Sequence, residues 1–189
     1  MKTPINCIYM KPISLYFVLL FVSCFIYSQS IYALDNDKNQ PISLNADKAD
    51  IDDLNGVSVF IGNVTLTQGS LKLNANKLTA KYDKNRTIKN IIAETDHNSN
   101  SPATLKQLPE GEQDYIQAQA DKINYMVEKN TIRLSGNAIF WQKNSVFRGE
   151  IIDYDIEQAK LKAIGKQTSS NQDRVHVTFE PQNTKQNKK

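Results

Sequence analysis

The chain spells one strand-and-turn unit twice. Gly62-Asn63-Val64-Thr65-Leu66-Thr67-Gln68 returns as Gly136-Asn137-Ala138-Ile139-Phe140-Trp141-Gln142, 74 residues later, and Ala46-Asp47-Lys48 returns as Ala120-Asp121-Lys122 at the same offset. A weaker echo, Ala75-Asn76-Lys77, stands 29 residues after Ala46, and Gly149-Glu150-Ile151 stands 29 after Ala120. Around these landmarks apolar residues fall at every second position: Ile42 and Leu44; Val57, Val59 and Ile61; Val64 and Leu66; Leu71 and Leu73; Ile116, Ala118 and Ala120; Ile123, Tyr125 and Val127; Ile132 and Leu134; Val175, Val177 and Phe179. Period two over many short runs is the mark of strands with one covered face. No segment after residue 34 carries a convincing helical period, and only Glu157 to Lys162 is ambiguous. Repetition of such units predicts a stacked all-β scaffold with one long interior.

Turn residues stand where a meander needs them. Asn55-Gly56 is a hairpin signal, because both residues tolerate positive φ. Gln68-Gly69-Ser70, Asp83 to Arg86, Glu128-Lys129-Asn130 and Lys143-Asn144-Ser145 predict polar turns. Longer loops are expected over Thr95 to Pro102 and Pro109 to Asp114. At each Ala-Asp-Lys or Ala-Asn-Lys unit the apolar parity slips: Ala46 is followed by Ala49 and Ile51, Ala75 by Leu78 and Ala80, Ala120 by Ile123 and Tyr125. A step of three predicts a bulge or corner that bends the strand and keeps its apolar face inside. Register noise in a twisted sandwich gives the same pattern. Val59, Ile61, Leu66, Leu73, Leu134 and Phe140 head the inward set and are the candidates for lining a groove. Their composition suits a packed core and a long apolar slot equally.

Residues 1–33 read as an export signal: Lys2 and Lys11, an apolar run from Ile13 to Ile26, then small residues up to Ala33. The run is short for a spanning helix; an uncleaved anchor is the alternative. Phe21-Val22-Ser23-Cys24 fits a lipidation box poorly, since Phe is wrong at its first position. Residues 34–40 are expected to be a disordered leader, 41–181 the folded domain and 182–189 a basic disordered tail. Both cysteines, Cys7 and Cys24, fall in the signal, so the exported part has no disulfide and suits an oxidising periplasm. Of 23 basic residues, Lys2 and Lys11 leave with the signal, so 21 face 20 acidic ones. That balance excludes the basic stripe of a nucleic-acid binder. His97 and His176 lack metal-ligand spacing. There is no nucleophile elbow and no phosphate-cradling loop. No catalytic residue, metal or cofactor is expected, and the chain is read as not an enzyme. Strict alternation from Ala138 and Phe140 turns Trp141 outward.

Gln40-Pro41-Ile42-Ser43-Leu44, Phe60 to Val64, Thr67 to Ala75 and Leu134-Ser135-Gly136-Asn137-Ala138 together resemble the periplasmic lipopolysaccharide-transport protein A family, also called OstA-like. The resemblance runs from about Gln40 to Pro181; Gly149-Glu150-Ile151 departs from it by lacking a lysine. It implies an open β-jellyroll of antiparallel strands, a rolled two-sheet sandwich. It implies binding of lipopolysaccharide with the lipid A acyl chains between the sheets, at Ile42, Leu44, Leu105, Tyr125 and Val127. The implied partners are further copies joined head to tail through the terminal strands, an inner-membrane transport complex with a related jellyroll, and an outer-membrane translocon. A membrane-anchored adaptor of the same fold that hands lipopolysaccharide on is the competing reading.

Overall fold

The computed structural model describes residues 37–96, 101–167 and 172–179. The export signal with Cys7 and Cys24, its expected cleavage point, the start of the leader, His97 and the basic tail lie outside the described residues. Within them the chain is built from strands: β1 (Ile42–Asn45), β2 (Lys48–Asp52), β3 (Val57–Gln68), β4 (Leu71–Tyr82), β5 (Ile88–Glu94), β6 (Ala103–Gln107), β7 (Ile116–Ala120), β8 (Lys122–Met126), β9 (Thr131–Gln142), β10 (Ser145–Asp155), β11 (Lys160–Ile164), the short pair β12 (Lys166–Gln167) and β13 (Gln172–Asp173), and β14 (His176–Phe179). The turns fall where Gly, Asn and Asp predict them. The ambiguous Glu157 to Lys162 resolves into a turn and the start of β11. Part of the expected disordered leader is ordered: Asp37–Asn39 forms a 3-10 turn. Asp37 accepts from the backbone N–H of Ser70 at 2.7 Å, so the leader caps the β3–β4 turn.

The open two-sheet jellyroll is overturned by the strand pairing. β4 pairs β5, β5 pairs β8, β8 pairs β9, β9 pairs β7, β7 pairs β6, and β6 pairs β4 again. This ring of six strands closes on itself, and the fold is a closed barrel with β3, β10 and their neighbours added on its flanks. The cause lies in strand length. β4 and β9 run 12 residues each. Each changes partner halfway, so two short strands sit side by side along one long one. β4 pairs β6 over Lys72–Asn74 and β5 over Lys77–Tyr82; β9 pairs β8 over Thr131–Ser135 and β7 over Ile139–Gln142. Alternation records which face is covered but not which edge meets which, so closure was invisible in the pattern.

The repeated motif is the bend. Gly62 and Asn63 form a bulge in β3, with the register slipping between Ile61 and Val64. Both have positive φ, +84° and 45°. The Asp47 N–H donates to the Gly62 carbonyl at 3.0 Å, and Asn63 Nδ2 donates to Asp47 Oδ2 at 3.0 Å. A Cβ on Gly62 would lie 2.2 Å from that carboxylate oxygen. The second copy matches: Asp121 N–H to Gly136 carbonyl at 2.9 Å, Asn137 Nδ2 to Asp121 Oδ2 at 3.0 Å, and 2.4 Å left for a Cβ on Gly136. Glycine is required on both counts, conformation and space. One extra residue on β3 obliges one strand of the pair to change the parity of its inward set. β4 does so, from Leu71 and Leu73 to Leu78 and Ala80, while β3 keeps Val64 and Leu66 in step with Ser58. The same slip carries β7 (Ile116, Ala118, Ala120) into β8 (Ile123, Tyr125). The slipped parity therefore marks corners, not noise.

Inside the ring the side chains are packed. Leu73, Ala93, Ile123, Leu134 and Phe140 have no exposed surface, and Phe140 stacks on Tyr154 with ring centroids 4.5 Å apart. Each such aliphatic or aromatic burial contributes about 1.5–3 kcal/mol. Burial also raises the phenol pKa of Tyr154, whose hydroxyl accepts from Gln142 Nε2 at 3.0 Å.

Candidate functional site: an apolar cleft under the first two strands

Packing is incomplete at the N-terminal flank. β1 and β2 lie end to end along β3 and, among the described residues, have no strand partner on their other side. The Ala46-Asp47 corner between them lets Ile42 and Leu44 on β1 and Ile51 on β2 face the same hollow. Its floor is Phe60 of β3 with Leu66 behind it, Ala80 of β4 and Ile88 of β5, around a cavity of about 270 Å³. A second depression of about 540 Å³ shares Ile42 and Ile88 and continues past Ile91 to Val127. Ile42 is 40% exposed and Ile51 61%. Apolar side chains this exposed, on an unpaired edge, are what an apolar ligand covers.

The rim is charged. Arg86 Nη2 reaches Asp53 Oδ2 at 2.6 Å, and the Tyr82 hydroxyl donates to Asp53 Oδ1 at 2.9 Å. Lys89 lies 3.3 Å from Glu128 and 3.4 Å from Asp83. Its hydrogen bonds to Glu128 and then Asp83 raise the Lys89 pKa, and the Thr87 N–H lowers that of Asp83. All these groups face solvent, so the pairs fix loop geometry more than they hold the fold together.

The sequence-predicted residues divide three ways. Ile42 and Leu44 line the cleft, Leu66 lies behind its floor with no exposed surface, and Val127 borders its extension. Leu105, Tyr125, Leu73, Leu134 and Phe140 are sealed in the core, at 3% exposure or less. Burial raises the Tyr125 phenol pKa. Val59 and Ile61 are corrected: they lie on the opposite face of β3, where Val59 pairs with Asp50 and Ile61 with Lys48. The inward residues there are Ser58 and Phe60. Val and Ile favour strands on either face, so their type misled. Phe60, Ile51 and Ile88 were missed. The Asn55-Gly56 turn could have found two of them, because it sets Ile51 opposite Ser58 and so puts even-numbered residues of β3 inward.

Known proteins share this architecture. The family described as "LptA/(LptD N-terminal domain) LPS transport protein" matches residues 43–160. The chain is similar to the lipopolysaccharide export system protein LptH of Pseudomonas aeruginosa, 35% identical over 157 residues that cover 82% of this chain and 87% of that one. It is also similar to the lipopolysaccharide export system protein LptA of Haemophilus influenzae, 31% identical over 149 residues, 78% and 84% of the two chains. The crystal structure of the Pseudomonas LptH, described as the LptA homologous periplasmic component of a conserved lipopolysaccharide transport device, aligns with a TM-score of 0.67 at 34% identity, covering 77% of this chain and 99% of that chain.

Proposed function

This chain belongs to the LptA and LptD N-terminal domain family of lipopolysaccharide-transport proteins, and on that premise we propose that it shields the acyl chains of lipid A in the cleft beneath β1 and β2 while lipopolysaccharide passes along a row of like molecules. It is a periplasmic protein. Each CH₂ moved into water costs about 0.8 kcal/mol, so an acylated lipid cannot cross an aqueous gap bare. The observation that carries the reading is the half-covered apolar surface under an edge strand. β1 is held to β3 along one side only, from Ile42 opposite Gln68 to Asn45 opposite Thr65. It is the wall that shifts to admit lipid. No bond is made or broken in this reading, and the protein is a carrier without catalysis.

The same edges join molecules. Among the described residues β1 and β2 leave one side of the sheet unpaired; β11 and β14 leave the other. Adding one edge to the other on a neighbour is strand augmentation, and being heterologous it builds open rows. Such a row runs between an inner-membrane transport complex and an outer-membrane translocon, each presenting a matching edge.

A photo-crosslinking residue distinguishes the inside from the outside. At position 44 it is expected to capture lipopolysaccharide; at position 59, on the opposite face, it is not. No adduct at position 44, or equal capture at both, rejects the cleft as the lipid site.

A further inference from the structure

The outer face of the barrel seam carries an arrangement that an acyl cleft does not use. Strand register lines up Thr67, Lys72, Lys106, Gln117 and Trp141 in one rung across β3, β4, β6, β7 and β9. The neighbouring outward rung includes Asn74, Thr104 and Gln119. Alternation sets these opposite Leu73, Leu105, Ala118 and Phe140, which are buried. Lys72 and Lys106 face each other directly across the β4–β6 seam, where like charges repel. Neither forms a salt bridge among the described residues; Lys106 Nζ lies 4.3 Å from the centre of the Tyr115 ring. The third cation, Lys143, is 3.3 Å from Glu112. The depression framed by these side chains has a volume of about 660 Å³, and no carboxylate lines it among the described residues.

Two facing cations call for an anion between them. Their surroundings call for something more than an anion. Asn74 Nδ2 donates to Thr104 Oγ1 at 3.1 Å, and Thr65 Oγ1 donates to Asn74 Oδ1 at 3.2 Å, a ladder of amides and hydroxyls suited to sugar hydroxyls. Trp141, half-buried and flanked by Gln117 on β7 and Val146 on β10, offers an indole on which a sugar ring can stack. We propose that this face binds a phosphate-bearing saccharide, the sugar part of the transported glycolipid, with its phosphate between Lys72 and Lys106 and a ring on Trp141. The rung continues to Ser43 of β1, opposite Thr67, so cleft and outer face meet at one strand. Acyl chains lie beneath β1 and the saccharide folds over it. The choice of sugar rests on the carrier reading; the site itself rests on the two rungs.

Trp141 is the one tryptophan of the chain, so its fluorescence reports this face alone. The probe is the phosphorylated oligosaccharide freed from lipopolysaccharide by complete deacylation. A saturable change in emission is expected. Its affinity is expected to fall about tenfold or more when the phosphates are removed or in Lys72→Gln/Lys106→Gln. That double variant also loses a repulsion. Without sugar it melts no lower than the parent, and added oligosaccharide raises the melting temperature of the parent alone. Parent-like affinity in the double variant, or a response to inorganic phosphate equal to that of the oligosaccharide, overturns the proposal. Capture of intact lipid at position 44 is measured alongside. Capture without oligosaccharide binding overturns this site and leaves the cleft standing; oligosaccharide binding without capture supports this site and rejects the cleft.

Discussion

The two copies of the bend are one device in two settings. Asp47 against Gly62-Asn63 and Asp121 against Gly136-Asn137 agree in their hydrogen bonds to within 0.1 Å. Their neighbours differ. β2, which leaves the first bend, pairs with β3 alone among the described strands and is exposed along its whole length. β8, which leaves the second, is flanked by β5 and β9, and its Ile123 has no exposed surface. Local sequence thus sets the bend, and strand topology decides whether the bent unit becomes core or mouth. The proposed carrier role uses one of each: a fixed half to hold the shape and a loosely covered half to let lipid in.

Three measurements would break or sharpen that contrast. The largest effect belongs to Phe140→Ala, expected to lose about 3–5 kcal/mol in urea denaturation because a fully enclosed ring leaves a cavity. Phe60→Ala, in the half-covered cleft, is expected to lose roughly half as much. Equal losses would mean the N-terminal half is packed as firmly as the barrel. The glycines come next. Gly136→Ala is expected to cost about 1–3 kcal/mol from its positive φ and the Asp121 carboxylate in its way. Gly62→Ala is expected to cost less, because β2 can move aside. Adding Asp121→Ala to Gly136→Ala should restore part of the loss, and no restoration would locate the whole cost in the backbone. The smallest stability change, about 1 kcal/mol or less, is expected on deleting residues 174–189, since β14 is exposed throughout. Oligomers measured by light scattering should nevertheless shorten. Unchanged size would rule out assembly through this edge.

Much of the fold was legible in the sequence because short-range rules wrote it. Strands, turns and corners follow from alternation, from Asn55-Gly56 and from the parity slip at Ala46, Ala75 and Ala120. Closure was not legible: β4 meets β6 through Lys72–Asn74 and Thr104–Lys106, segments joined only through β5 and a loop. No local pattern names that partnership. The cleft was half legible. Ile42 and Leu44 stood out as an apolar alternation beside an edge, whereas Phe60 was hidden between Val59 and Ile61, whose β-branched side chains announce a strand without announcing its inner face. Leu105 and Tyr125 looked no different from cleft residues, because core and ligand site draw on the same side chains and differ only in what covers them.

The partner exchange along β4 also bears on how the molecule assembles itself from an extended chain. The β3–β4 and β9–β10 hairpins need only neighbouring residues and short turns, so they can form early. Bringing β6 onto β4 closes a stretch of chain that contains all of β5, and distant pairings slow a search. The physical expectation is that this three-pair seam closes late, with two lysines facing each other as it does so. Those lysines still face each other in the closed barrel, so added salt, by screening them, is expected to slow its opening more than it speeds its formation.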